Sequence, residues 1–385
     1  MSMEKWAHYN PVRIHFGRGC RTSLTEKMVE QRVLIVCSPR GRHQLESDAV
    51  LGQAIRSANR ILWMDSVETN PDLNRLQELT NDLQSAHLDC VVGFGGGSAI
   101  DSAKAFALAL SPAARNRSLR ELLGVVASLP VGTSLPLYAV PTTAGTGSEV
   151  TPYATVWDHG KRRKLSLAGP AVYPHSAFVD PELSATVPYH ATLNTGLDAI
   201  NQAAESIWNR NITPMSEMLA HRALQQGMTA LPKLLNDLEN LNLRDTMAEV
   251  SLLAGLAISQ TRTSLCHAIS YPLTAHFGVP HGLACAFTMP AVLRHNLTTD
   301  DGRFRRLATV LCTEGAESIA DLLHLFDKLN QQLQVAEQVR EMVGSLNAII
   351  AFSDEMFTPG RADNALNPAC FENIEEMLRD SWICS

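Results

Sequence analysis

Cys90-Val91-Val92-Gly93-Phe94, followed without a break by Gly95-Gly96-Gly97-Ser98, is the stretch whose reading decides the fold. Its first five residues have the length and the apolar, β-branched character of a buried strand, and glycines bound it on the far side. A helical pattern starts at Ala99, with Asp101 and Lys104 inside its first turns. Strand, glycine turn and helix form the repeating unit of doubly wound α/β domains, whose ligands sit at the carboxyl ends of the strands. The glycines lie at that end. They allow the backbone to approach a pyrophosphate, while a helix N-terminus offers free N–H groups and the positive end of its dipole. The same residues also suit a tight turn with no ligand, and the spacing is not the GxGxxG of the common dinucleotide fingerprint.

Working outward, VLIVC (33–37) and LYAV (137–140) read as two more buried strands, each separated from its neighbours by helical patterns. The second ends in Pro141-Thr142-Thr143-Ala144-Gly145-Thr146-Gly147-Ser148-Glu149, a loop whose backbone N–H groups and threonine hydroxyls suit phosphate or ribose. Two such loops at strand ends point to a dinucleotide. Beyond about Pro188 the texture changes. Apolar residues recur at three- and four-residue steps over 193–209, 215–236, 247–259, 319–329 and 371–382. We therefore expect two domains: an α/β dinucleotide-binding domain over 1–187, and an all-helical domain over 188–385.

Composition narrows the partners. In 385 residues the formal net charge is −7, which argues against general binding to nucleic acid or to anionic membrane surfaces. The apolar stretches are strand-sized and interrupted, so no transmembrane helix is expected. Residues 1–10 carry Glu4, Lys5, Trp6 and His8 and no apolar run, so no signal peptide is expected either. The eight cysteines show no CxxC pair, which fits reduced thiols and a cytoplasmic location.

A metal constellation lies in the second half. Asp198 and Gln202 are four residues apart in a helical stretch, so both side chains leave one face. His267 and His281 follow far downstream. A carboxylate, an amide oxygen and two imidazoles suit a borderline divalent ion such as Fe2+ or Zn2+. Each histidine alone also fits a structural role, and spacing does not establish that the four converge.

Taken in order, GGGSAIDSAK (95–104), PTTAGTGSEVT (141–151), DPEL (180–183), GLDA (196–199) and HGLA (281–284) resemble the signatures of the iron-containing (type III) alcohol dehydrogenases. The resemblance runs over roughly residues 8 to 380. It implies a dehydroquinate-synthase-like architecture: a doubly wound α/β nucleotide-binding domain followed by an all-helical one. The metal ligands implied are Asp198, Gln202, His267 and His281, one divalent ion, with Fe2+ ahead of Zn2+. Position 202 is usually histidine in the family, and a further family histidine is replaced by Tyr271. Implied cofactor contacts are Ser38, Gly95, Gly96, Gly97, Ser98, Asp101, Thr142, Thr143, Thr146, Ser148 and Lys164. Residues 205–210, 258–263, 267–273 and 357–364 look like the phosphonate-associated branch, which reduces phosphonoacetaldehyde to 2-hydroxyethylphosphonate. Gln202 and Tyr271 are typical of that branch.

Chemistry extends the resemblance. A phosphonate dianion needs fixed cationic donors, and arginine suits its multidentate capture. Arg262, in the neutral context SQTRTS, is the first candidate; Arg210 and Arg361 follow. Tyr271 is the candidate for delivering a proton to the alkoxide, or else a wall of the site. NAD-selective relatives carry an acid after the second strand where Ser38 stands here, and Arg40 and Arg42 follow it. That favours NADPH, with NADH retained. Lys161, Arg162 and Arg163 read as a solvated face. The resemblance also implies a homodimer, with an exposed edge strand near 8–16. Three other readings compete: a general short-chain alcohol or diol dehydrogenase, a lyase-type enzyme that uses the cofactor transiently, and a non-catalytic nucleotide binder that has lost its metal.

Overall fold

The computed structural model describes residues 5–114, 117–161, 163–312, 318–357 and 360–383. The chain divides into two compact units, Asn10–Val187 and Met1–Tyr9 with Pro188–Ser385.

In the first unit six strands form one sheet: β1 (Arg13–Phe16), β2 (Arg32–Val36), β3 (Arg60–Met64), β4 (Cys90–Gly95), β5 (Leu137–Pro141) and β8 (Ser176–Val179). Their order is β1-β8-β5-β4-β2-β3, and every pairing is parallel. Side chains alternate between two apolar clusters. Leu34, Val36 and Val91 join one, while Val33, Ile35, Val92 and Phe94 join the other. A sheet buried on both faces needs near-continuous apolar strands, which is why CVVGF and VLIVC carry no polar alternation. The helices between strands are α1 (Thr25–Met28), α2 (Pro39–Ser47), α3 (Ala49–Ser57), α4 (Leu73–Leu83), α5 (Gly97–Ala109) and α6 (Leu119–Val125). The chain steps outward from β2 to β3, then returns across β2 to β4. The direction of winding thus reverses between β2 and β4, the switch point where open α/β sheets bind ligands. An antiparallel hairpin of β6 (Tyr153–Asp158) and β7 (Arg163–Ala168) forms a second small sheet. It escaped the reading of the sequence, as did the short strands β3 and β8, whereas β1 is an edge strand within the span expected near 8–16. Lys161 and Arg163 are exposed, as a solvated face requires, and Arg162 lies outside the described residues.

The second unit is helical: α7 (Tyr189–Ile207), α8 (Pro214–Asn236), α9 (Leu241–Thr261), α10 (Leu265–Phe277), α11 (His281–Leu297), α12 (Arg303–Leu311), α13 (Ile319–Gln332), α14 (Val335–Val343), α15 (Leu346–Ile350) and α16 (Phe371–Ile383). Among the described residues its only β pairing is the isolated bridge Asn209–Ala365. Residues 5–9 group with these helices rather than with the sheet: the Gln260 amide accepts from Tyr9 N at 3.2 Å and donates to Tyr9 O at 2.8 Å. α7 is the central element, packed by α8, α9 and α11, and it is buried without interruption from Gly196 to Ile207. α10 and α11 were not legible as helices. Residues Leu265 to Leu273 and Gly282 to Leu293 are all buried, and a helix surrounded by protein has no polar face to give it a period.

No helix among the described residues is long and apolar enough to cross a membrane. The described cysteines are free thiols, and Cys384 lies outside the described residues.

Candidate metal and cofactor sites

One stripe of α7 carries Asp198, Gln202 and Glu205, four and then three residues apart, all of them buried. Polar groups at that depth need partners. Glu205 finds them at the start of α10: it accepts from Ser264 N (2.8 Å), Cys266 N (2.6 Å) and His267 N (3.3 Å), N–H groups that a helix N-terminus otherwise leaves unsatisfied. It also contacts His267 Nδ1 at 2.7 Å. An ionised Glu205 places the ring proton on Nδ1, which leaves Nε2 as the nitrogen 3.4 Å from Asp198 Oδ1.

His281 opens α11, and its ring lies 5.2 Å from that of His267 at 75°. Gly282 lets α11 pack closely on α7, because a Cβ there would collide with the Asn194 carbonyl. Ser270 Oγ lies 3.3 Å from His281 Nδ1. One turn on, Cys285 Sγ is 3.9 Å from both His281 ring nitrogens. Asp198, His267, His281 and Cys285 each offer one donor atom, and these atoms lie within 4.8 Å of one another. Three of the four expected ligands are thus brought together. The fourth, Gln202, presents a buried Oε1 with no hydrogen-bond partner.

The donors fit a divalent ion. Ligands bound at about 2.0–2.3 Å around a tetrahedral centre stand about 3.3–3.6 Å apart, close to the 3.4 Å and 3.9 Å found here. The electrostatics agree. Burial works against a charged His267, but Cys285, Glu205 and Asp198 outweigh it and raise its pKa well above the ordinary imidazole range. A pocket that favours a proton so strongly favours a metal cation in its place. Glu205 and Cys285 were missed as site residues, although the spacings Gln202-x-x-Glu205 and His281-x-x-x-Cys285 were there to be read.

Tyr271 stacks on His281 (6.1 Å between centroids, 17°), and Arg361 Cζ lies 5.2 Å from the Tyr271 ring centre. Arg361 Nη1 also donates to Thr263 Oγ1 at 2.5 Å. Arg262 is exposed, contrary to the reading of its neutral context, and caps α9 with φ 64° and ψ 175°. That region costs a residue with a side chain on the order of 1–3 kcal/mol. Its Nη1 lies 3.9 Å from where a Cβ on Gly360 would stand, so its guanidinium borders the backbone next to Arg361. Thr358 and Pro359, within the branch-like segment 357–364, lie outside the described residues. Arg210 is exposed, with its backbone N–H on Asn364 O at 2.9 Å.

In the α/β unit the two loops leave adjacent strands at the same end, Gly95 opposite Pro141, and Thr142 N donates to Gly95 O at 3.0 Å. α5 starts at Gly97 with no side-chain cap; Ala99 N donates to Gly96 O at 3.1 Å, and the N–H groups of Gly97 and Ser98 at the helix start are suited to an anion. The loops touch. A Cβ on Gly97 would stand 2.6 Å from Thr146 Cγ2, and one on Gly96 would stand 3.1 Å from Thr143 Oγ1. Asp101 and Ser148, expected as cofactor contacts, are bonded to each other: Ser148 Oγ donates to Asp101 at 2.5 Å, and Thr155 N donates to its other oxygen at 2.8 Å, forming a clasp. Lys104 is buried and donates to Thr151 O and Tyr153 O. Burial lowers its pKa to about 8 and raises that of Glu149 to about 7. Lys164, opposite Trp157 in the hairpin, is near enough for its charge to act on Asp101.

Ser38 caps α2 by accepting from Gly41 N at 3.1 Å. The two arginines expected to meet a 2′-phosphate already have partners. Arg40 donates to Thr186 O (2.7 Å), while Arg42 bridges Glu46 (2.9 Å) and Asp65 (2.7 Å) and lies over Trp63.

A doubly wound sheet with two glycine-rich loops at the carboxyl ends of adjacent strands, and a helical unit with a buried acid–imidazole cluster, define a nucleotide- and metal-dependent dehydrogenase. Residues 11–181 match the family model of iron-containing alcohol dehydrogenase, and residues 192–381 that of the C-terminal part of the Fe-containing alcohol dehydrogenase family. The chain belongs to the iron-containing alcohol dehydrogenase family. It is accordingly an NAD(P)-linked oxidoreductase of alcohols or aldehydes, which sets aside the lyase reading.

Phosphonoacetaldehyde reductase of Streptomyces viridochromogenes is 38% identical over 249 residues, 64% of this chain and 62% of that protein. The match therefore spans less than two thirds of that relative. 1-Propanol dehydrogenase of Salmonella typhimurium is 31% identical, with 85% and 83% covered. Among solved structures, sulfoacetaldehyde reductase from Bifidobacterium kashiwanohense in complex with NAD+ superposes with a TM-score of 0.85 at 26% identity, covering 99% of this chain and 100% of that one.

Proposed function

We propose that the protein reduces a small anionic aldehyde, phosphonoacetaldehyde, to 2-hydroxyethylphosphonate: RCHO + NAD(P)H + H+ gives RCH2OH + NAD(P)+. When bound, a divalent ion polarises the carbonyl oxygen as a Lewis acid, and the reduced nicotinamide supplies the hydride. Asp198, Gln202, His267 and His281 are the residues to hold that ion, Fe2+ ahead of Zn2+. Glu205 fixes the His267 ring with its Nε2 toward Asp198. Gly95, Gly96, Gly97, Ser98, Thr142, Thr143 and Thr146 form the pyrophosphate and ribose contacts, with Lys164 nearby. NADPH is preferred because Ser38 puts no carboxylate where a 2′-phosphate would be repelled. The ion pairs of Arg42 mean that this preference rests on Ser38, and NADH remains a usable donor.

The observation that carries the substrate proposal is the run from Arg361 to Tyr271 to His281. It puts a guanidinium one aromatic ring away from the cluster, and Arg262 borders the same backbone. An aldehyde with an anionic tail two bonds from its carbonyl carbon spans such a distance. Tyr271 is the group to pass a proton to the nascent alkoxide. The test is kcat/KM for phosphonoacetaldehyde and for propanal with both cofactors, in wild type and Arg262→Ala. A charge-assisted hydrogen bond contributes about 1.5–3 kcal/mol, so the expected loss is about 10- to 100-fold on the phosphonate and little on propanal. Equal losses on both substrates would remove the clamp.

A second reading, a general short-chain alcohol dehydrogenase, is supported by the 1-propanol dehydrogenase relative over most of the chain. Propanal turnover at or above that of phosphonoacetaldehyde would favour it. A cytoplasmic homodimer is also proposed. β1 lies at the edge of the sheet, and light scattering of the purified protein tests whether two chains associate.

A further inference from the structure

Cys285 is a chemistry-bearing side chain at the cluster that the proposed reaction leaves unused. It is fully buried, and its Sγ stands 3.9 Å from both His281 ring nitrogens, within the 4.8 Å group formed with Asp198 and His267. Buried cysteines usually act as small apolar side chains, yet this one faces two imidazoles and a carboxylate. A second observation points the same way. Gln202 Oε1, on the Asp198 stripe of α7, is buried with no hydrogen-bond partner, which a native interior rarely tolerates. An amide oxygen is a neutral, weak donor. A set of Asp198, Gln202, His267 and His281 would give a divalent ion only one formal negative charge.

We infer that Cys285 is itself a ligand of the divalent ion, so that the site holds a carboxylate oxygen, two imidazole nitrogens and a thiolate sulfur, supplemented by the Gln202 amide. The inference rests on the metal-dependent reading above and adds one donor to it. Its proton leaves to solvent as the ion binds. A thiolate restores the second negative charge and brings a soft donor, so the site favours zinc over iron more than an all-oxygen-and-nitrogen set would.

The experiment is replacement of the native metal by Co2+ in the purified full-length protein, followed by absorption spectroscopy and by competition of Zn2+ and Fe2+ against a chelator. Wild type is expected to show a near-ultraviolet thiolate-to-cobalt charge-transfer band. Cys285→Ser is expected to lose that band and to bind Zn2+ at least about 10- to 100-fold more weakly, with a smaller loss for Fe2+. Cys266→Ser, which alters the other buried thiol near the cluster, keeps the band. Circular dichroism and retained NAD(P)H binding show that Cys285→Ser is folded, and Cys285→Ala serves if it is not. Cobalt bound without the band, or a band unchanged in Cys285→Ser, overturns the inference. In that case, loss of cobalt in Asp198→Ala still upholds the metal site. Failure of wild type to take up cobalt overturns both.

Discussion

The two candidate sites are built by opposite means. In the α/β unit the ligand-facing surface is backbone, opened by the absence of side chains: Gly96 and Gly97 leave room where Thr143 and Thr146 press in. The polar side chains nearby hold the loops to one another, as Asp101 does with Ser148 and Lys104 with Thr151 and Tyr153. In the helical unit the surface is all side chain. Asp198, His267, His281 and Cys285 come from three helices, and Glu205 fixes the helix start that presents one of them. A backbone site depends on space and a side-chain site on charge, so substitutions should damage the two in different ways.

The largest expected effect breaks the charge side. Asp198→Ala removes the carboxylate of the four-residue donor group, and we expect loss of metal and a fall in kcat/KM of about 1,000-fold or more, since Lewis-acid stabilisation contributes several kcal/mol. Cofactor affinity should stay within a factor of two or so, because the nucleotide loops depend on none of these residues. Metal analysis and fluorescence titration with NADPH measure both. Retained turnover in a metal-free Asp198→Ala would remove the metal from the reaction. Glu205→Gln sharpens the same side. It keeps the shape but removes the charge that sets the His267 tautomer, and metal affinity should fall about 10- to 100-fold. An unchanged affinity would reduce Glu205 to a helix cap.

The contrast also explains what the sequence shows. The nucleotide loops are contiguous, and CVVGF running into GGGS carries strand, turn and helix start in nine residues, so fold class and loops are legible together. The hairpin of β6 and β7 was not, because Trp157 and Lys164 face each other in a pairing that no apolar run announces. The metal cluster is scattered over 88 positions, from Asp198 to Cys285. Each residue alone carries little, and the helices of His267 and His281 are apolar on every side. The family resemblance supplied three of its residues. It did not supply Cys285 or Glu205, whose roles appear only once α7, α10 and α11 are packed. Arg262 stands in a neutral stretch where a solvated position was less expected, yet it is exposed and caps α9.

The space side is broken by one methyl group. Gly97→Ala would drive Cβ to 2.6 Å from Thr146 Cγ2, so the second loop must move away from the first. We expect KM for the cofactor to rise about tenfold, equivalent to about 1.4 kcal/mol, with metal content unchanged. The double variant Gly97→Ala/Thr146→Ser should regain part of that loss by removing the clashing methyl. No recovery would mean that the glycine serves the ligand rather than the neighbouring loop.

The smallest expected effect concerns the clasp region and is read from pH. Glu149 is buried, and its pKa rises from 4.5 to about 7. The folded state then binds more protons than the unfolded one across that interval, so the contribution is full below 4.5 and fades as pH climbs through 7. Lys104 titrates the other way. Its pKa falls from 10.5 to about 8, so the unfolded state holds more protons in that range and stability recovers as pH rises through it. Between the two values both groups are charged and buried, with their mutual attraction offsetting only part of the cost of dehydration. Glu149→Gln removes the acid limb alone. Its Tm relative to wild type should therefore rise between pH 4.5 and 7 and change little from there to pH 8. One pKa unit corresponds to about 1.4 kcal/mol, and 1 kcal/mol moves Tm by about 2–4 °C in a domain of this size, so the rise is several degrees. A difference that stays flat over the acid interval would mean that Glu149 is already ionised throughout, with Lys104 as a full partner. The loops would then be fastened by an ion pair rather than by a neutral acid.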